Sequence, residues 1–112
     1  MLPQKFRLNL GKDFKWVVSG KKIETKFLKL FIKTGDNAFP KVGIAVSGKV
    51  FKKAFQRNRA RRLASSATES LYNSLPKNIN ILVLPKAIIL DVKSGEVLLD
   101  LKTALQHEKI IS

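Results

Sequence analysis

Residues 49–63 read Lys-Val-Phe-Lys-Lys-Ala-Phe-Gln-Arg-Asn-Arg-Ala-Arg-Arg-Leu, with seven cations: Lys49, Lys52, Lys53, Arg57, Arg59, Arg61 and Arg62. At about 100° per residue of helix, Arg57, Asn58, Arg61 and Arg62 fan across one broad face. Arg57 and Arg61 are four residues apart, and like charges so placed cost about 0.2–0.5 kcal/mol in an isolated helix. A phosphate backbone lying across them removes that cost. The planar arginine fork binds phosphate oxygens in pairs. Asn58 offers a donor and an acceptor, suited to a base edge, a 2′-hydroxyl or a backbone group. The plain alternative is a solvated basic face, but no acidic residue nearby balances it.

A second constellation lies upstream. Phe27, Lys29, Phe31 and Lys33 alternate with Leu28, Leu30 and Ile32, the period of a strand with two unlike faces. Rings interleaved with ammonium groups suit single-stranded nucleic acid, because bases stack on rings and cations take phosphates. The competing assignment for each ring is burial under the first helix. Phe14 and Trp16, on that helix, share this ambiguity.

Groups for bond-breaking chemistry are scarce. The one histidine, His107, reads as a surface residue near the end of the sequence. The carboxylates are Asp13, Glu24, Asp36, Glu69, Asp91, Glu96, Asp100 and Glu108. None forms the close sequence pair of a carboxylate-held metal site, although distant ones could meet in space. Glu96, Asp100 and Glu108 read as outward positions on the last helix. Neither a glycine-rich phosphate loop nor a nucleophile elbow is present. With no cysteine there is no disulfide and no thiolate metal site, which fits a cytoplasmic location.

The charge distribution supports a polyanionic partner. Among 112 residues, 22 Lys and Arg face 8 Asp and Glu, a net charge of +14. Residues 1–62 hold 17 basic and 3 acidic side chains, and residues 63–112 hold 5 of each, so all the excess lies in the first part. One-sided charge repels itself unless a polyanion neutralises it. An anionic membrane surface would do so too, but no segment has the required amphipathic helix with Trp or Leu facing lipid. No apolar run is long enough to span a bilayer, and residues 1–10 lack the apolar core of an export signal.

The elements that must position these residues follow from periodicity. Phe14, Val17 and Val18 predict a helix over 11–19 with Gly20 as its stop. Strands are expected at 22–33 and 42–47, with a further short strand around 18–22. Ala60, Leu63, Ala64, Ala67 and Leu71 make the apolar stripe of a helix over 54–74, ended by Pro76. Residues 79–84 suit a buried strand. A last helix starts near Ser94, its expected N-cap, and packs Val97, Leu98, Leu101 and Leu105 inward. The order is α-β-β-β-α-β-α in one domain over 1–112: an α/β class chain forming a small two-layer α/β sandwich.

Residues 41–63 resemble a known family. Lys-Val-Gly-Ile-Ala-Val-Ser at 41–47, then Lys49, Ala54 and Arg57-Asn58-Arg59-Ala60-Arg61-Arg62-Leu63, is similar to the signature of the bacterial ribonuclease P protein component. Leu2-Pro3, Arg7-Leu8, Asp13-Phe14 and Gly20-Lys21 also fit the family's opening segment; the C-terminal part fits in spacing only. Gly48 stands where the family usually has Lys, Ser65 and Ser66 replace a common Arg-Glu, and Val18 replaces a frequent aromatic.

The resemblance implies a left-handed β-α-β crossover, which handedness rules alone would not suggest. It implies a protein that binds the catalytic RNA of ribonuclease P through Lys49, Lys52, Lys53, Arg57, Asn58, Arg59, Arg61 and Arg62. It implies that the 5′ leader of precursor tRNA lies against Phe14, Phe27, Lys29 and Phe31. Hydrolysis then belongs to the RNA subunit and its Mg2+, with no cofactor on the protein alone and no obligate protein partner. Two rivals remain at this point: a ribosomal-type structural RNA binder, and a stand-alone nuclease, which would need an acid/base or metal cluster.

Overall fold

The computed structural model describes residues 3–111. Its elements are α1 (Leu10–Val18), β1 (Lys21–Glu24), β2 (Leu28–Thr34), β3 (Lys41–Ile44), α2 (Ala54–Leu71), β4 (Ile79–Pro85) and α3 (Ser94–His107). Short 3-10 turns lie at Gln4–Phe6, Tyr72–Ser74 and Ala87–Asp91. The order is the expected one. Among the described residues no helix is long and apolar enough to cross a membrane.

One mixed sheet runs β1-β2-β4-β3. β1, β2 and β4 pair antiparallel, while β3 runs parallel to β4, with α2 between them in sequence. β4 is central and buried on both faces, so its residues read as one apolar run rather than an alternation. Leu28, Leu30, Ile32, Ile81 and Val83 turn to one face, against Ala60, Leu63, Ala64, Ala67, Val97, Leu101 and Leu105 of α2 and α3. α1 lies on the opposite face, where Val17, Leu8 and Leu82 form a second small cluster. The sheet and the α2/α3 layer thus form the sandwich, and α1 is a partial third layer.

Several local expectations are corrected. The strand expected over 22–33 is a hairpin, broken at 25–27. Thr25 and Leu28 close the turn at the break, with Thr25 N–H donating to Leu28 O at 2.8 Å and Leu28 N–H donating to Thr25 Oγ1 at 2.9 Å. Asp100 of α3 braces it: Thr25 Oγ1 donates to Asp100 Oδ2 at 2.6 Å, and the Lys26 and Phe27 amides donate to its two oxygens at 3.2 and 3.0 Å. Asp100 therefore points inward, and Glu108 pairs with Lys21. Only Glu96 of the three is exposed, and it caps its helix, accepting the Lys93 amide at 3.1 Å. That makes Lys93 the N-cap, with Ser94 the first helical residue. Gly20 follows α1 without a left-handed turn. A Cβ there would lie 2.3 Å from the Ile32 carbonyl oxygen, so close backbone approach is what requires glycine. The second strand ends at Ile44, short of 47, because a turn closed by Phe51 N–H to Ser47 O at 2.9 Å leads into α2.

Edge strand β1 is tied at both ends by ion pairs, Lys21 with Glu108 and Glu24 with Lys86, the latter at 3.1 Å. The hydrogen bond and charge of Lys86 hold the Glu24 carboxyl below its ordinary range, and Lys21 does the same for Glu108.

Candidate nucleic-acid interface

The apolar stripe of α2 is buried as expected, which sends the arginines outward. Their surroundings differ. Arg57 is half-buried and donates Nη1 to the Phe51 and Lys52 carbonyls at 2.9 and 3.1 Å, fixing the entry to the helix. Arg61 donates Nη1 to Asn58 Oδ1 at 3.2 Å, so the two side chains present one joined surface. Arg62 is exposed. Arg59 departs from this group. Its Nε and Nη2 donate to the Leu90 and Val92 carbonyls, both at 3.2 Å, clamping α2 to the turn at Ala87–Asp91. Each arginine keeps further N–H donors for phosphate. Lys49, Lys52 and Lys53 are exposed before the first turn of α2, whose N-cap amide, Lys53, is held by Gln56 Oε1 at 3.2 Å. The ion pairs on β1 involve none of these cations.

Sequence reasoning missed Phe55. It is 65% exposed in the middle of this cationic surface, with Lys53 Nζ 5.9 Å from its ring centroid. The signal was available, because Phe55 lies five residues before Ala60 and hence about 140° from the stripe.

The second face is built by register. Lys22 opposes Phe31, Phe31 opposes Leu82, and Lys33 opposes Asn80, so these side chains share the face on which α1 sits. Phe31 is half-buried against the Val17–Leu82 cluster, and Lys29 is half-buried beside it. Phe14 and Trp16 on α1 are 40% and 39% exposed. Lys33 bridges α1 and the sheet, with its Nζ 5.1 Å from the Trp16 ring centroid and 2.7 Å from Ser19 Oγ. This is a shelf of rings and ammonium groups between a helix and a sheet.

Phe27 does not belong to it. The break at 25–27 interrupts the alternation, and Phe27 turns into the main core at 4% exposure. Its ring cannot stack on a base while the hairpin is folded, so its assignment to a leader-binding face is withdrawn. The physical reason is the turn closed between Thr25 and Leu28 and braced by Asp100, which rotates the residue inward.

A groove of about 740 Å³ opens beside α2. The segment Arg7–Leu8 runs alongside β3, with an isolated parallel bridge of Arg7 to Val42 and a 3.1 Å bond from Leu8 N–H to Val42 O. Arg7, Asn9, Gly43, Arg61, Ser65 and Thr68 are among the residues that line the groove between this segment and the helix. Elsewhere, no three His, Cys, Asp or Glu side chains among the described residues gather as metal ligands would.

Both the sequence and this architecture recur in known proteins. The Ribonuclease P family model matches residues 2–109. A ribonuclease P protein component from Pseudanabaena sp. is 31% identical over 113 residues, covering 99% of this chain and 97% of that one. Among solved structures, a mutant ribonuclease P protein of Staphylococcus aureus superposes with a TM-score of 0.83 at 17% identity, over 96% of this chain and 92% of that one. The ribonuclease P protein of Thermotoga maritima gives 0.78 at 24% identity, over 90% and 96%. The structural likenesses establish the shared fold. The match along almost the whole sequence establishes more: this chain belongs to the ribonuclease P protein family.

Proposed function

We propose that this chain, as the protein component of ribonuclease P, grips the RNA subunit with the arginine surface of α2 and holds the 5′ leader of precursor tRNA on the shelf between α1 and the sheet. The observation that carries this reading is the separation of tasks on α2. One side is spent on the core, and the other presents Asn58, Arg61 and Arg62, with the cations before it, to a polyanion. Such surfaces bind through release of counterions from phosphates. The shelf offers Phe14, Trp16 and part of Phe31 to bases, with Lys29 and Lys33 for the phosphates between them.

In this reading the protein supplies binding and charge screening, and the RNA subunit with its Mg2+ supplies the hydrolysis. The setting is the cytoplasm. The test is reconstitution with the RNA subunit on precursor tRNA. Protein plus RNA should cleave at lower Mg2+ than RNA alone, and the protein by itself should cleave nothing. Metal-dependent cleavage by highly purified protein would refute the division of labour.

A further inference from the structure

The groove beside α2 has features that a plain phosphate contact does not need. Two cations reach it from different elements, Arg7 from the N-terminal segment and Arg61 from α2, and among the described residues no carboxylate lines it. Its polar lining has unused capacity. Asn9 spends Oδ1 on the Lys12 amide at the start of α1, at 3.2 Å, leaving its side-chain NH2. The Thr68 hydroxyl donates to the Ser65 carbonyl at 3.0 Å and can still accept. Ser65 adds a hydroxyl on a small side chain, which leaves the space open. Leu10 and Ile44, both half-buried, supply an apolar lining. The volume of about 740 Å³ is that of a small-molecule site and exceeds what one phosphate fills.

We infer that this groove takes a single unpaired nucleotide of bound RNA. Its phosphate lies between Arg7 and Arg61, its base lies against Leu10 and Ile44, and the base edge meets Asn9, Ser65 and Thr68. The combination selects this ligand. Cations without acids favour a phosphate, the apolar lining favours a base over a bare anion, and mixed donors and acceptors suit a base edge. A peptide added along the edge of β3 would use the same space, but it would not require both arginines. The inference rests on the RNA-binding reading above and adds to it a pocket for one base.

The experiment uses the full chain, a mixed-sequence single-stranded RNA tetranucleotide, and an abasic oligonucleotide of equal length and charge. Binding is followed through the backbone amide resonances. The intact oligonucleotide should shift Leu8, Gly43, Ile44 and Ser65 saturably. The abasic one should bind at least about tenfold more weakly, corresponding to the loss of one stacked base, and should leave Gly43 and Ser65 unmoved. Arg7→Ala, at an exposed position, should lower the log–log salt slope by about 0.7, the value for one single-strand phosphate. Equal binding of the abasic oligonucleotide, with the same amides shifted, overturns the inference and leaves only an anion site. Shifts confined to the α1–sheet shelf and the outer arginines overturn it while leaving RNA binding intact. No binding anywhere on the protein overturns both readings. Because the abasic comparison uses the unaltered protein, the outcome does not depend on a variant folding.

Discussion

Phe27→Ala and Phe31→Ala should fail in different ways, although the two residues are only four apart. Phe27 is 4% exposed in the main core, and removing such a ring costs about 3–5 kcal/mol. A chain of 112 residues has roughly 5–15 kcal/mol to lose in total. At about 4–8 °C of melting temperature per kcal/mol, the midpoint should fall by at least about 12 °C. All RNA binding should weaken together, irrespective of substrate. Phe31 sits half-buried at the edge of the smaller cluster, so its loss should cost less, about 1–2 kcal/mol. It should also weaken binding by about 1–3 kcal/mol for precursor tRNA with a leader of several nucleotides, and not at all for mature tRNA. The assay pairs thermal melting by circular dichroism with binding as a function of leader length in the reconstituted holoenzyme. Leader-length dependence for Phe27→Ala at an unchanged melting point would show that the ring faces RNA and that the hairpin turn is wrongly understood. A large melting loss for Phe31→Ala with no leader dependence would remove the shelf from the binding scheme.

Arg61→Ala with Arg62→Ala should weaken binding to the RNA subunit and reduce the log–log salt slope by about 0.7–0.9 for each phosphate left unneutralised, with melting little changed; unaltered slope and affinity would make this a solvated face. Adding Arg57→Ala should also lower the melting temperature modestly, because its bonds to the Phe51 and Lys52 carbonyls are removed. Phe55→Ala should cost about 1–3 kcal/mol of affinity for the RNA subunit, restored by Phe55→Trp and not by Phe55→Leu, at constant stability; a neutral result in filter binding would return Phe55 to ordinary exposed apolar surface. Glu24 and Glu108 have carboxyl pKa values depressed by Lys86 and Lys21. Each therefore contributes stability that is complete above the ordinary glutamate value of 4.5 and is lost as pH falls through the lowered folded value. The protection of β1 amides relative to their intrinsic exchange rates should fall over that acid range, and Glu24→Gln with Glu108→Gln should remove the fall.

The sequence carried the element order and the core of α2 because both rest on local periodicity. Ala60, Leu63, Ala64, Ala67 and Leu71 announce one helical face without help from the rest of the chain. The arginine surface was legible for the same reason, being whatever the stripe leaves outside. The fate of Phe27 was not legible, since strict alternation puts it beside Phe31, and the turn that breaks the alternation joins local bonds between Thr25 and Leu28 to a carboxylate 73 residues away from Phe27. Asp100 was misread in turn, because helical spacing cannot say that a polar side chain has a partner in a distant turn. Arg59 was grouped with its neighbours by composition, yet the carbonyls it binds lie in and just after a 3-10 turn more than 30 residues on. The groove was invisible because it needs the N-terminal segment to lie along β3, a single bridge with no periodic signature.

The bonds from 25–27 to Asp100 have a consequence for the order in which the protein can be assembled during synthesis. A hairpin normally completes itself from neighbouring residues within microseconds. Here Thr25 and Leu28 close the turn locally, but the Lys26 and Phe27 amides find their acceptor only on the final helix, and β2 must wait for β4 as its second neighbour. The first half of the chain, which carries all the excess positive charge, therefore leaves the ribosome before the residues that close its core exist. Such non-local closure slows folding. In that interval a basic, unfinished segment sits beside ribosomal RNA, the most abundant polyanion at hand. A nascent chain stalled before residue 100 emerges should therefore cross-link to ribosomal RNA in a salt-sensitive way, and one stalled after α3 has emerged should not.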